Sequence, residues 1–198
     1  MNLPNKITLA RIVLAILLLI LLVFPFYQVG ISFPTYYVFD KVALNLKYII
    51  GGIAFMIASF SDFLDGNIAR KRGIVTDFGK IMDAIADKIL VNGVLIVLAV
   101  NGYISVIIPV IIVTRDIVVD SVRMTSAGKG KVIAAGWIGK VKTVFMMVGI
   151  SLLFFSNLPF EIWNIKVAEL LIFIATVLSV ISGCQYFIAN KDFILTEK

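Results

Sequence analysis

The chain reads Asp62-Phe-Leu-Asp65-Gly66-Asn-Ile-Ala69-Arg70 and, after a basic connection, Gly79-Lys-Ile-Met-Asp83-Ala-Ile-Ala-Asp87. Asp62 and Asp65 are three residues apart and Asp83 and Asp87 are four apart, so each pair lies on one face of a helix. The short connection makes the two helices antiparallel neighbours. We therefore expect the four carboxylates to converge in one pocket.

Apolar segments surround this stretch. The chain has 198 residues, of which 61% are hydrophobic and 15% charged, whereas soluble domains are about half apolar and about a quarter charged. The mean hydropathy is +1.05. Runs near the ~20 residues that cross a bilayer recur along the chain. The sequence predicts an all-α polytopic membrane protein, a single domain over residues 1–198, with six transmembrane helices at about 7–26, 46–64, 80–100, 104–124, 138–156 and 166–188.

The distribution of the cationic residues predicts an orientation for these helices. With the N-terminus in the cytoplasm, only Lys41, Lys47 and Lys166 of the 18 lysines and arginines fall on the opposite side. The positive-inside rule therefore predicts that both termini are cytoplasmic. Membrane anchoring also accounts for the net charge of +6, so we expect no nucleic-acid partner.

The chemistry of the carboxylate stretch is limited by the absence of histidine from the chain. Acid, base and metal chemistry must then use carboxylates, which favour Mg²⁺, Mn²⁺ or Ca²⁺. Four carboxylates at membrane depth repel one another unless cations neutralise them. Two divalent ions bridged by carboxylates would suit displacement at a diphosphate. The alternative is that the aspartates are water-facing helix ends paired with neighbouring lysines and arginines.

The motif D-x-x-D-G-x-x-A-R-x(8)-G-x-x-x-D-x-x-x-D is present from Asp62 to Asp87 with every required position filled. It resembles the signature of the CDP-alcohol phosphotransferase family. The resemblance implies an enzyme in which an alcohol hydroxyl attacks the β-phosphate of a CDP-linked lipid and releases CMP. It implies two Mg²⁺ or Mn²⁺ ions in each active site.

The resemblance also implies roles for individual residues. Asp62, Asp65 and Asp83 would coordinate the metals, and Asp87 would complete the cluster and act as the general base. Asp62 and Gly66 would face the nucleotide of the CDP-lipid, and Arg70 would face phosphate.

A second element lies at the N-terminus, where the chain reads Pro4-Asn5-Lys-Ile-Thr8-Leu-Ala-Arg11. It resembles the P-N-x-x-T-x-x-R element of bacterial family members, which would place Asn5 and Thr8 against the CDP-lipid. The alternative is structural: Asn5 starts a helix, Thr8 bonds the preceding turn, and Arg11 extends to the lipid headgroups.

Cations within the fourth and fifth predicted spans suggest the acceptor. Arg115 in an apolar helix needs a partner, and we expect Asp116 to point elsewhere. Arg123 is about two turns on, and Lys140 opens the next span, so Arg115, Arg123 and Lys140 would form a pocket for an acceptor that carries phosphate. The alternative is that these cations are inner-leaflet anchors.

Within the family, this cation pattern resembles that of members whose acceptor is sn-glycerol 3-phosphate. The implied reaction transfers the phosphatidyl group of CDP-diacylglycerol to that acceptor. The implied setting is the bilayer of a bacterial inner membrane, with a cytoplasmic active site and a homodimer. Acceptors left open are inositol phosphate, serine and phosphatidylglycerol; a cation-coupled transporter or a scaffold is a different class of interpretation.

Overall fold

A computed structural model describes residues 3–72, 77–128 and 136–195, which form six α-helices and one short hairpin. The helices are α1 Leu3–Val23, α2 Leu46–Arg72, α3 Asp77–Val100, α4 Ile107–Gly128, α5 Trp137–Phe154 and α6 Val167–Leu195. One helix corresponds to each predicted span. The main difference is in α2, which continues beyond residue 64 through the carboxylate stretch.

The exterior of the helical bundle is apolar. Three helical segments within the described residues are long and apolar enough to cross a membrane: Asn5–Val23, Trp137–Phe154 and Val167–Ala189. Large apolar side chains also face outward on other helices, such as Val110 on α4, which is 59% exposed. Exposing such an apolar surface to water is unfavourable, whereas exposing it to the lipid chains of a bilayer is not. The fold is therefore that of a membrane protein.

The core of the bundle brings α1 against α2 and α3, and α5 against α6. Phe55 of α2 and Phe154 of α5 are fully buried, with ring centroids 5.8 Å apart. On α3, Gly93 allows α1 to approach closely, because a Cβ at this position would lie 2.7 Å from Leu19 Cδ1. This close packing holds α1 beside the helix that carries Asp83.

The prediction of an all-α fold was wrong in one segment. Between α1 and α2 the chain forms an antiparallel hairpin of β1 (Thr35–Val38) and β2 (Val42–Asn45). Its turn residues Phe39 and Asp40 both have a φ of 53°. The β-branched and aromatic residues of β1 favour extended structure, and a turn with two positive φ angles matches the twist of paired strands. Hydropathy could not reveal this hairpin because it lies outside the apolar helices.

Candidate active site

Two of the predicted metal-binding aspartates meet at α1. The Nη1 atom of Arg11 forms an ion pair with Asp62 Oδ1 of α2. The same atom lies 4.0 Å from Asp83 Oδ1 of α3. Thr8 Oγ1, one turn earlier on α1, donates a 2.7 Å hydrogen bond to the same oxygen of Asp83. The structure therefore brings the N-terminal element and both carboxylate helices to one site.

The burial of Arg11 contradicts the interpretation that it extends to the headgroups. Its side chain is 1% exposed, whereas the Asp62 and Asp83 side chains are each 41% exposed. A guanidinium buried to this degree needs charged or polar partners, and it finds them in the aspartates. The carboxylates lie in front of the arginine and remain accessible.

Some predicted site residues lie outside the part of the chain whose side chains the structure describes. These residues are Asp65, Gly66 and Arg70. Their roles stay predictions. Asn5 lies in the first turns of α1 with a partly buried side chain, and its role against the CDP-lipid is also still a prediction.

A second part of the site is a cavity of about 250 Å³ between α3, α4, α5 and α6. Asp87 lines it together with three predicted cations, Arg115, Arg123 and Lys140. The charges of Asp62 and Arg11 also act on Asp87. Asp87 therefore lies between the carboxylate site and the cationic cavity. Its role as the general base stays a prediction.

Arg115 is held by α6 as well as by its own helix. Its Nε donates to the Ser179 carbonyl oxygen at 3.2 Å, and its Nη2 donates to Ser182 Oγ at 2.7 Å. Its Nη1 donates to Asp116 Oδ1 at 3.0 Å, so the expectation that Asp116 points elsewhere was wrong. The long arginine side chain has several rotamers, and in one of them its guanidinium reaches the carboxylate of the next residue. Arg115 therefore joins α4 to α6.

Arg123 has fewer of its donors engaged. Its Nη2 donates to the Tyr186 hydroxyl at 2.9 Å, and its guanidinium lies 5.1 Å from the centre of the same ring. The Nε atom is buried and has no hydrogen-bond partner among the described residues. Arg123 lines the cavity, and a guanidinium on a cavity wall is suited to bind an oxyanion.

The two lysines of α5 in the cavity differ in their environment. Lys140 is exposed, so its ammonium is available to a ligand. Lys142 has a 12% exposed side chain and lies 3.4 Å from Asp116 Oδ1. Lys142 and Arg115 thus share one carboxylate, and Lys140 and Arg123 are the cations best placed for an acceptor.

Another ion pair closes the cavity between α3 and α4. Lys88, next to Asp87, pairs with Asp120, and both residues line the cavity. Their side chains are 40% and 30% exposed. Because this pair joins α3 to α4, it contributes to the relative position of Asp87 and the cations.

The donor set fits hard divalent cations. Asp62 and Asp83 share the same arginine, and their accessible carboxylate oxygens suit Mg²⁺ or Mn²⁺. Among the described side chains alone, no group of three or more acidic, histidine or cysteine residues is close enough to hold an ion. The predicted set includes Asp65, whose side chain is not among them.

Sequence reasoning missed the contribution of α6. Ser179, Ser182 and Tyr186 are each at most 7% exposed in an otherwise apolar helix. Their spacing of i, i+3 and i+7 places them on one helical face, and that face contacts Arg115 and Arg123. This polar stripe was a signal that could have been used.

The comparisons with known proteins agree with this architecture. The profile described as CDP-alcohol phosphatidyltransferase matches residues 1–181, and the chain belongs to this family of membrane transferases. A solved structure, the apo form of phosphatidylinositol phosphate synthase from Mycobacterium tuberculosis, has the same fold, with a TM-score of 0.64 and 18% identity over 100% of this chain and 94% of that one. Membership of a transferase family contradicts the transporter and scaffold interpretations.

Curated relatives are similar over nearly the whole length. A Bacillus subtilis protein is 38% identical over 99% of this chain and 98% of its own, and one from Rickettsia bellii is 35% identical over 97% of each. A Mycoplasma genitalium protein is 43% identical over 66% of this chain and 52% of its own. All three are named CDP-diacylglycerol--glycerol-3-phosphate 3-phosphatidyltransferase.

Proposed function

We propose that this protein transfers the phosphatidyl group of CDP-diacylglycerol to sn-glycerol 3-phosphate, giving phosphatidylglycerophosphate and CMP. The observation that carries the proposal is the cavity in which Asp87 meets Arg123 and Lys140. A carboxylate beside paired cations suits an acceptor with a hydroxyl at one end and a phosphate at the other. The names of the relatives that match nearly the whole chain support the same reaction.

Asp87 is the general base of the proposed reaction. Its carboxylate takes the proton of the acceptor hydroxyl as the hydroxyl oxygen attacks the β-phosphorus of CDP-diacylglycerol. The bond between that phosphorus and the bridging oxygen of CMP breaks, and CMP leaves with the electron pair. The displacement is direct, so no covalent enzyme intermediate is needed.

Asp62, Asp65, Asp83 and Asp87 are the proposed ligands of two Mg²⁺ or Mn²⁺ ions. Bound there, the ions would make the diphosphate more electrophilic and CMP a better leaving group. Asn5, Thr8, Gly66 and Arg70 would contact the CDP-lipid, as the family signature implies.

Arg123 and Lys140 are the proposed contacts of the acceptor phosphate. Arg123 offers a planar set of donors and Lys140 an exposed point charge. Arg115 lines the same cavity, but its engagement with Ser179, Ser182 and Asp116 gives it a larger part in holding the wall in place.

The proposed setting follows from the charge distribution. Six helices would cross the inner membrane of a bacterium as one domain over residues 1–198, with both termini and the active site at the cytoplasmic side. A homodimer is proposed from the family resemblance.

The choice of acceptor is tested with the purified protein in detergent. With CDP-diacylglycerol, Mg²⁺ or Mn²⁺ and radiolabelled sn-glycerol 3-phosphate, we expect CMP and labelled phosphatidylglycerophosphate in equal amounts. Parallel reactions contain inositol phosphate, serine or phosphatidylglycerol. Turnover with one of these acceptors and none with glycerol 3-phosphate would reject the assignment.

Replacing Arg123 with alanine should weaken acceptor binding. Loss of a charge-assisted contact predicts a KM for sn-glycerol 3-phosphate about 10- to 100-fold higher, with a smaller change in the KM for CDP-diacylglycerol. Steady-state kinetics over both substrates measures this. Lys166→Ala is the control, because the Lys166 side chain is 71% exposed and the residue directly precedes α6, at the end of that helix far from Tyr186. An acceptor KM equal to that of the control would contradict the phosphate assignment.

A further inference from the structure

Arg11 lies behind the carboxylates that the proposed metals would share. Its side chain is 1% exposed, and the residue belongs to α1, whereas Asp62 and Asp83 come from α2 and α3. One cation from a third helix therefore contacts both aspartates. Thr8 is 2% exposed and bonds Asp83 from the same face of α1.

This arrangement differs from that of an ordinary surface ion pair. An arginine guanidinium is always charged in proteins, so the positive charge of Arg11 persists in the buried site. The two carboxylate side chains are 41% exposed and the Arg11 side chain is 1% exposed, so the carboxylates, and not the arginine, present an open side to a ligand. A metal ion would approach from that open side while Arg11 stays in place.

A fixed positive charge behind a metal site has two opposite effects. It repels an incoming divalent cation and so weakens metal binding. It also neutralises repulsion between the aspartates and holds their side chains in one orientation, which favours catalysis through positioning. Thr8 adds orientation at Asp83 without adding charge.

We propose that Thr8 and Arg11 form an α1 clamp, a pair of positioning residues that orient Asp62 and Asp83 and lower the affinity of the site for divalent metal. The proposal rests on the metal-dependent function proposed above. The clamp makes α1 a part of the active site, in addition to its place in the bundle.

The charge of Arg11 is tested with Arg11→Met, which keeps an unbranched side chain and removes the cation. Isothermal titration of the metal-free protein with Mn²⁺ should give a Kd about tenfold lower than that of the wild-type protein. Saturating Mn²⁺ should also raise the Tm by more than in the wild-type protein. At saturating metal and substrates, kcat should fall by about tenfold or more.

Opposite movements of metal affinity and kcat separate this role from a purely structural one. If Arg11 only supported the fold, Arg11→Met would bind Mn²⁺ more weakly and turn over more slowly. Weaker or unchanged Mn²⁺ binding would overturn the clamp. Failure of the wild-type protein itself to bind Mn²⁺ would instead refute the proposed metal chemistry.

Two further variants keep the test decisive if Arg11→Met does not fold. Arg11→Lys restores the charge, so its Kd for Mn²⁺ should return to within about threefold of the wild-type value while kcat stays lower. Thr8→Val should leave the Kd nearly unchanged and reduce kcat by about tenfold. The control is Thr176→Val, which removes a buried hydroxyl that donates to the Ile172 carbonyl oxygen of its own helix. A kcat for Thr8→Val equal to that of this control, or a Kd for Arg11→Lys below a third of the wild-type value, would overturn the clamp.

Discussion

Changing Asp87 to asparagine should reduce kcat by at least about 100-fold, because the amide cannot accept the proton of the attacking hydroxyl. The substitution keeps the size of the side chain and one potential oxygen ligand. CDP-diacylglycerol should therefore still bind, with a Kd within a few-fold of the wild-type value. The measurements are single-turnover release of CMP and equilibrium binding of the CDP-lipid.

A matched control for Asp87→Asn is Glu169→Gln, which also converts a carboxylate to an amide. Glu169 is a half-exposed partner of Lys166 at the beginning of α6, at the other end of the bundle from the cavity. The Glu169→Gln protein should retain the kcat of the wild-type protein. An Asp87→Asn protein with comparable activity would remove Asp87 as the base. Loss of both CMP release and CDP-lipid binding would show instead that Asp87 acts mainly in holding the metal and substrate.

Removal of divalent cations should abolish turnover. Asp62 of α2 and Asp83 of α3 present accessible carboxylates beside Arg11, and the diphosphate substrate adds further negative charge. Without divalent ions, the substrate and the carboxylates would repel each other. Dialysis against a chelator followed by assay should show no CMP release, and addition of Mg²⁺ or Mn²⁺ should restore it.

A structural measurement makes the metal prediction specific to these residues. Crystals of the protein soaked with Mn²⁺ should show anomalous density between the aspartates of α2 and α3, and Asp83→Asn should reduce it. Full activity in the presence of chelator, or an anomalous map without a peak at this position, would contradict the proposal that these aspartates bind catalytic metal ions. Soaking with Ca²⁺ would serve as a control for site geometry because Ca²⁺ also binds carboxylate oxygen.

The sequence alone determined the helices and, through its motif, the family to which the chain belongs. Apolar runs of bilayer length predicted six helices, and the structure places one at each run. The spacing of Asp62, Asp65, Asp83 and Asp87 predicted that all four carboxylates converge. The structure places Asp62 and Asp83 beside Arg11, and the convergence of all four stays a prediction. Such features are local, since spacing along one helix determines which residues share a face.

The tertiary structure decided the partners of the buried cations. Arg115 bonds a backbone carbonyl of Ser179 and the hydroxyl of Ser182, 64 and 67 residues away. Every residue has a carbonyl, so no sequence pattern marks the one that an arginine will reach. Arg11 likewise reaches Asp62 only because α1 packs between α2 and α3. Contacts between helices depend on how their surfaces fit, and this fit is set by the packing of the whole bundle.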